Sequence, residues 1–159
     1  MHPNEEIINR FYQAFQKKDF SVMQHSYHND AVFYDPVFEH LTAAEVRAMW
    51  EMLCKRGKDL VLEYRIIHAD DQSGSAEWIA TYTFSATGRK VVNRIHADFT
   101  FRENKIMSHK DTFDLYRWIK QAFGFSGVLL GWTGWMQNKI RSTAKNNLQR
   151  FIEKSNPVS

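Results

Sequence analysis

An alternating stretch, residues 99–113, restricts the fold of this chain more than any other part of the sequence. Asn104 lies near its centre, and asparagine tolerates the positive φ angle that a tight turn requires. We predict a β-hairpin around Asn104 in which Phe99 pairs with Met107. A shift of this pairing by two residues would leave the same side chains on each face, because side chains alternate along a strand.

The two faces of the predicted hairpin differ in polarity. One is an ordinary polar face, whereas the other is apolar except for His109 and Asp111, which lie two residues apart. Burial of a polar group without a partner costs about 2–7 kcal/mol, so these two side chains either pair internally or line a pocket. The apolar face consists of Ile95, Ala97, Phe99, Phe101, Met107, His109, Asp111 and Phe113.

The composition favours one globular domain over residues 1–159. Hydrophobic residues make up 43% and charged residues 25% of the chain, which is ordinary for a folded protein. The aromatic share of 14% is high, and it suits an aromatic core or an aromatic-lined pocket. The net charge of +3 is small and the basic residues are dispersed, so we expect no nucleic-acid partner.

Cysteine content and hydropathy disfavour a secreted or membrane-spanning protein. Cys54 is the one cysteine, so a disulfide framework is excluded. The first residues are polar and acidic, unlike a signal peptide, and no apolar run approaches the roughly 20 residues of a membrane span. We therefore expect a cytoplasmic protein without a membrane span.

The sequence contains no familiar metal or phosphate motif. Neither Cys-x-x-Cys nor His-Glu-x-x-His spacing occurs, and no glycine-rich phosphate loop is present. The His96 and Asp98 pair belongs to the polar face of the hairpin, so it cannot converge with His109 and Asp111. We expect no metal and no cofactor.

Three helices are predicted before the sheet. The first covers residues 4–17, with Asn4 as its N-cap, and Asp19 caps a shorter second helix whose apolar residues include Tyr27. A Thr-x-x-Glu capping box opens the third helix, residues 42–57.

The hydrophobic period then changes from 3.6 to 2, which indicates strands. Helices followed by an antiparallel meander indicate an α+β fold, with helices on one face of a curved antiparallel sheet. The predicted strands are residues 31–35, 60–68, 76–86, 91–101 and 105–114.

The C-terminal part, residues 121–154, lies beyond this core. The sequence pattern predicts a helix over residues 115–123, then a glycine-rich apolar link, and then an amphipathic helix over residues 135–153. We interpret the last helix as docked on the core. The alternative is a contact with a membrane surface or another subunit through Trp132 and Trp135.

Two segments resemble the NTF2-like superfamily, which includes ketosteroid isomerases and SnoaL-type polyketide cyclases. They are YHNDAVFYDP, after a helix that ends in KKDF, and TGRKVVNRIHADFTFRENKI followed by SHKDTFD. The resemblance covers about residues 5–120, and the tail resembles that of SnoaL-like members. It implies a cone, in which a strongly curved antiparallel sheet wraps the N-terminal helices around a pocket, and a homodimer formed through the sheet.

The resemblance carries over to individual residues unevenly. Asp35, before Pro36, matches the general base of ketosteroid isomerases, and Asp111 matches in outline the base of SnoaL-type cyclases, with His109 beside it. The two oxyanion donors of ketosteroid isomerases fall on Phe11 and Ala97, so both are missing, although Tyr12 is adjacent to the first.

Proton abstraction next to a carbonyl requires a carboxylate in a dry pocket, where loss of water raises its pKa. Asp111 with His109 meets this requirement, and Asp35 is a second candidate. The alternatives are a structural role for Asp111 and a turn-forming role for Asp35. Asn93 can orient a ligand carbonyl, and five aromatic residues can line the pocket: Tyr82, Trp78, Trp50, Tyr34 and Tyr12.

The sequence therefore supports three hypotheses. The first is a cofactor-independent isomerase, cyclase or dehydratase that acts on a small apolar carbonyl compound. The second is a non-catalytic carrier with the same pocket, and the third is a protein-interaction module that uses the open face of the sheet.

Overall fold

The α+β class is confirmed by the computed structural model, which describes residues 1–155. Six strands form one curved sheet in the order β2-β1-β6-β5-β4-β3. The elements are α1 (Pro3–Gln16), α2 (Phe20–His25), β1 (Tyr27–Asp35), β2 (Glu39–Thr42), α3 (Ala43–Arg56), β3 (Val61–Ala69), β4 (Ser73–Phe84), β5 (Arg89–Arg102), β6 (Lys105–Thr112), α4 (Leu115–Phe123), α5 (Phe125–Leu130) and α6 (Gly134–Ser155).

The starts of the helices follow local capping rules. The predicted capping box of α3 and the Asp19 cap of α2 are both present. The predicted cap of α1 is wrong, because His2 Nδ1 accepts the Asn4 backbone N–H at 3.1 Å while the Asn4 side chain donates to the Asp70 carbonyl at 2.8 Å. Tyr27 was assigned to α2, but it opens β1.

One strand pair differs from the expected antiparallel sheet. β1 forms an antiparallel hairpin with β2, a short strand that the sequence did not indicate, and pairs in parallel with β6 on its other edge. The remaining pairs, β3–β4, β4–β5 and β5–β6, are antiparallel as predicted. β1 and β6 are the first and the last strand in the sequence, so no local sequence pattern indicates that they pair in parallel.

The register of the β5–β6 hairpin is shifted by two residues from the prediction. Phe99 pairs with His109, and both Glu103 and Asn104 adopt positive φ angles, of 54° and 62°. A bulge after this turn buries Ile106 and leaves Met107 only partly buried, so the prediction for Met107 was wrong. Beyond the bulge the predicted faces are preserved.

An aromatic core lies between the sheet and the helices α1 and α3. The rings of Phe11 and Trp50 lie 5.7 Å apart in an edge-to-face arrangement, and Phe15 contacts both Trp50 and Trp78. The fully buried side chains include Phe11, Tyr12, Tyr27, Phe33, Trp50 and Phe99. Much of the high aromatic content of the chain therefore forms a packed core.

The C-terminal helices pack on different elements: α4 contacts β5, α5 contacts α4, and α6 contacts α3, with Leu148 of α6 in the main core. Val37 and Phe113 contact both the main core and a smaller cluster built from Leu115, Ile119 and Met136. The predicted link contains a short helix, α5, which the glycine-rich sequence did not indicate. Within residues 1–155, no helix combines the length and apolarity needed to cross a bilayer.

Candidate functional site

His109 and Asp111 point into the core from β6. Their residues are 1% and 3% exposed, and His109 Nε2 lies 2.9 Å from Asp111 Oδ1. They share one face because they are two residues apart on a strand. The two side chains therefore pair internally, as the sequence allowed, and both are buried.

Two further side chains complete the hydrogen bonding of His109. Trp50 Nε1 donates to the Tyr27 hydroxyl at 2.8 Å, and Tyr27 Oη lies 2.7 Å from His109 Nδ1. If Tyr27 donates its proton to Nδ1, His109 is the neutral tautomer with its proton on Nε2, which then donates to Asp111. In this arrangement the Trp50 N–H, the Tyr27 O–H and the His109 N–H each have an acceptor.

Asp111 receives a second donor from the sheet. Trp78 Nε1 lies 3.4 Å from the same oxygen, Asp111 Oδ1, across the core face of the sheet. Trp50 and Trp78 were predicted to line a pocket; in the structure their ring nitrogens hold the Tyr27–His109–Asp111 chain.

Asp35 lies beside Asp111 on the neighbouring strand. The parallel register pairs Phe33 with His109, so the next inward residue of β1 is level with the next inward residue of β6. Asp35 Oδ1 also accepts the backbone N–H groups of Val37 at 2.8 Å and Phe38 at 2.6 Å. The turn interpretation of Asp35 describes these two hydrogen bonds, whereas its role as a second carboxylate of a pocket stays a prediction.

Removal from water is the main reason that the pKa of Asp35 is raised from 3.8 to about 6. The bond from Phe38 opposes this rise, and the negative charge of Asp111 adds to it. Asp35 and Asp111 therefore form an electrostatically coupled pair of carboxyl groups, one of which is partly protonated near neutral pH.

Tyr12 places an unpaired hydroxyl in the same core. Its oxygen is buried and has no hydrogen-bond partner among residues 1–155. Burial, reinforced by the charge of Asp111, holds the pKa of the Tyr12 phenol well above its ordinary value. The hydroxyl thus keeps its proton and is a donor without an acceptor, which is rare in protein interiors.

The other predicted residues lie at different positions. Asn93 is buried on the inward face of β5, 9% exposed, whereas Tyr82 accepts a hydrogen bond from Trp118 of α4 at 2.6 Å. Tyr34 is on the outer face, where Lys110 lies over its ring at 5.6 Å. The structure therefore does not bring Tyr34 to the carboxylates.

Sequence reasoning missed Tyr27. Its assignment to a helix hid the alternation of β1, in which Tyr27, Ala31 and Phe33 are buried. An earlier start for this strand would have placed a tyrosine on the core face, but its contact with His109 depends on the parallel pairing of β1 with β6.

Two grooves lie away from the Tyr27–His109–Asp111 hydrogen bonds. One, of about 400 Å³, follows the outer face of the sheet between Glu77, Ile79, Arg94 and His96, and a second, of about 390 Å³, lies near Gly74 and Lys110. Among residues 1–155, no three His, Cys, Asp or Glu side chains form a cluster that could hold a metal ion.

Solved structures with a similar fold come from several bacteria. A candidate polyketide cyclase from Silicibacter has a TM-score of 0.65 at 20% identity, covering 74% of this chain and 93% of its own. A candidate polyketide cyclase from Xanthomonas campestris has a TM-score of 0.64 at 19% identity, covering 76% and 96%. An LEH-like epoxide hydrolase from M. tuberculosis has a TM-score of 0.58 at 17% identity, covering 79% and 94%.

These similarities establish the fold, and they agree with the NTF2-like resemblance of the sequence. No curated protein matches the sequence significantly. The family model of the SnoaL-like domain, however, matches residues 8–109, which is well over half of the chain. The chain therefore belongs to the SnoaL-like domain family.

Proposed function

We propose that the protein catalyses a cofactor-independent proton transfer on a small apolar compound that carries a carbonyl group. The observation that carries the proposal is the pair of inward carboxyl groups on β1 and β6, of which Asp35 has a pKa of about 6 and Asp111 accepts two N–H donors. Two carboxyl groups in different environments suit an acid and a base in one site.

In this scheme Asp111 removes a proton from the carbon next to the carbonyl, and the electron pair of the C–H bond moves into an enolate. The Tyr12 hydroxyl donates a hydrogen bond to the enolate oxygen, which gives its unpaired proton an acceptor. Where the substrate has a C=C bond next to this carbon, the enolate extends into a dienolate, and the carboxylic acid of Asp35 protonates its far carbon. Proton exchange between the two carboxyl groups then resets the site. The product is an isomer of the substrate.

His109 acts as a positioning residue. Its Nε2–H group fixes the orientation of Asp111, and its Nδ1 atom is held in turn by Tyr27. Asn93 and Tyr82 lie further along the inward face of the sheet, where they would contact the remainder of the ligand. The structural neighbours that are candidate polyketide cyclases support carbonyl compounds as the substrate class.

Solvent deuterium exchange tests this proposal without a known substrate. A panel of small apolar cyclic ketones and 1,3-diketones would be incubated with the protein in D2O, and deuterium at the α-carbon would be measured by NMR. Replacement of Asp111 by Asn is expected to reduce the exchange rate at least about 100-fold, the size of a general-base contribution. D98N, which alters an exposed carboxylate two strand positions from His96, is the matched control.

Two results would refute proton-transfer catalysis in this form. One is wild-type exchange at the background rate for every compound, and the other is equal exchange by D111N and wild type. Binding of a panel member that raises the melting temperature without any exchange would identify a non-catalytic carrier instead.

A second candidate function is an interaction module that uses the outer face of the sheet. The groove of about 400 Å³ on that face favours it, and we propose a homodimer formed there. Ile79 lies in the groove between charged residues, so I79E is expected to convert a dimer to a monomer. Sedimentation equilibrium would decide this, and a monomeric wild-type protein would exclude the dimer.

A further inference from the structure

Residues 125–135, here called the apolar segment, expose an unusual number of large hydrophobic side chains. Six of the eleven exposed large apolar side chains among residues 1–155 belong to it. Phe125, Trp132 and Trp135 are 78%, 68% and 66% exposed. Such a concentration of exposed apolar surface marks an interaction site.

The apolar segment is held in place by its glycines. A Cβ atom on Gly127 would lie 2.5 Å from the carbonyl oxygen of Ile119, and one on Gly131 would lie 2.6 Å from Ile119 Cγ2. The hydroxyl of Tyr116 also donates to the Val128 carbonyl at 2.8 Å. Small residues therefore face α4, and the large residues face outward.

The charged residues that flank the apolar segment in the sequence are basic. Between Asp114 and Glu153 the sequence contains six Lys and Arg residues and no Asp or Glu. Lys120 lies over the Tyr116 ring at 4.6 Å, and Lys139 lies over the Trp135 ring at 5.2 Å. Neither lysine forms a salt bridge within residues 1–155.

We propose that the apolar segment attaches the protein to the surface of an anionic lipid membrane. Outward Phe, Leu and Trp side chains enter the boundary between headgroups and acyl chains, while the adjacent lysines contact lipid phosphates. Tryptophan is suited to this depth because its ring is apolar and its N–H group is polar. Because no described helix can span a bilayer, the contact is peripheral.

A second copy of the chain fits the apolar segment less well. In a twofold contact the same surface meets itself, so Lys120 and Lys139 of one copy would face or border the same lysines of the other. No acidic residue of residues 115–152 is available to neutralise them. An anionic bilayer supplies both the apolar phase and the opposite charge.

Vesicle flotation tests the proposal with the full chain. Binding to phosphatidylcholine vesicles is compared with binding to vesicles that also contain phosphatidylglycerol, and intrinsic tryptophan fluorescence is recorded in parallel. We expect the anionic vesicles to bind at least about tenfold more strongly, with a blue-shifted emission and a loss of binding at high salt. F125S/W132S/W135S should lower this partition at least about tenfold.

Matched variants separate the contribution of the apolar side chains to vesicle binding from that of the lysine charges. V32T/V61T changes exposed apolar residues elsewhere and should bind as the wild type does, since Val61 and Val32 are 64% and 57% exposed. K120Q/K139Q should lose the preference for anionic vesicles, whereas K17Q/K58Q, with the same change in net charge, should retain it. Melting temperatures establish that each variant is folded.

Three outcomes would overturn membrane attachment. They are no binding of the folded wild type to either vesicle, equal binding by the wild type and F125S/W132S/W135S, and a wild-type oligomer that the same triple substitution converts to a monomer. The last outcome would assign the apolar segment to a contact between copies. None of them bears on proton transfer at Asp111, which is measured separately.

Discussion

His109 Nε2 lies 2.9 Å from Asp111 Oδ1, and the two side chains are 0% and 5% exposed. The same His-x-Asp spacing occurs on the outer face of β5, where His96 Nε2 lies 3.1 Å from Asp98 Oδ1 and the side chains are 44% and 57% exposed. The two pairs differ mainly in burial, so a comparison of them measures how much burial changes the contribution of such a pair to the free energy of unfolding.

D111N is expected to lower the free energy of unfolding by about 1.5–3 kcal/mol, because it replaces buried, charge-assisted hydrogen bonds with neutral ones. D98N should change it by less than about 1 kcal/mol, as is usual for exposed pairs. Urea denaturation at neutral pH measures both. Equal effects of the two substitutions would contradict the burial of the His109–Asp111 pair.

The raised pKa of Asp35 predicts how stability depends on pH. The folded protein holds this proton more tightly than the unfolded chain does, since the pKa rises from 3.8 to about 6. The contribution of Asp35 to stability therefore falls as pH increases from about 4 to about 6. Between these limits D35N should gain up to about 3 kcal/mol relative to the wild type.

Asp70 provides a control of opposite sign. Hydrogen bonds, chiefly from the Ser73 backbone, lower its pKa to about 2, so its contribution rises between about pH 2 and pH 4. D70N should therefore be less stable than the wild type by an amount that grows between about pH 2 and about pH 4 and stays constant above that range. Denaturation curves at several pH values would test both residues, and a D35N difference that is independent of pH would be inconsistent with the raised pKa of Asp35.

Two buried tyrosines should respond in opposite directions to removal of the hydroxyl. Y12F deletes an oxygen that has no partner among residues 1–155, so stability should stay equal or rise by up to about 1 kcal/mol. Y27F leaves the Trp50 N–H and His109 Nδ1 without their partner and should lower stability by about 1–3 kcal/mol. Thermal and urea unfolding distinguish the two; a clear loss of stability in Y12F would mean that its hydroxyl is bonded.

Two glycines of the C-terminal part should differ in their tolerance of alanine. G127A places a methyl group 2.5 Å from a backbone oxygen of α4, so we expect α5 to shift and stability to fall by about 1–3 kcal/mol. Gly134 has open space around it, and G134A should be neutral or stabilising by up to about 1 kcal/mol. Equal melting temperatures for the two variants would contradict the close contact between α5 and Ile119.

Most of the secondary structure followed from local patterns. The capping box at Thr42, the cap at Asp19 and the alternation of β4 and β5 all depend on residues a few positions apart, and all are present. The start of β1 could not be predicted from the local pattern, because Tyr27 has the spacing of the next apolar residue of α2 and only Ser26 separates it from that helix. The short strand β2 and the helix α5 were also missed, although each contacts a neighbouring element: β2 pairs with β1, and α5 packs against α4.

The candidate site was predictable only in part. Alternation alone placed His109 and Asp111 on one inward face, and it correctly separated them from His96 and Asp98. It gave no information on Tyr27, whose bond to His109 spans 82 positions in the sequence. The proximity of Asp35 to Asp111 likewise depends on the parallel pairing of the two strands.

Sequence by itself determined most of the side chains that face inward, because helical and strand periods are properties of neighbouring residues. Tertiary structure decided which of them come into contact. The parallel pairing of β1 with β6 places Asp35 level with Asp111, and aromatic side chains fill the core between the sheet and the helices. It also left residues 125–135 outside the core with their apolar side chains exposed. These outcomes depend on the order in which distant strands pair and on how volumes fit, and neither quantity is encoded in any short stretch of the chain.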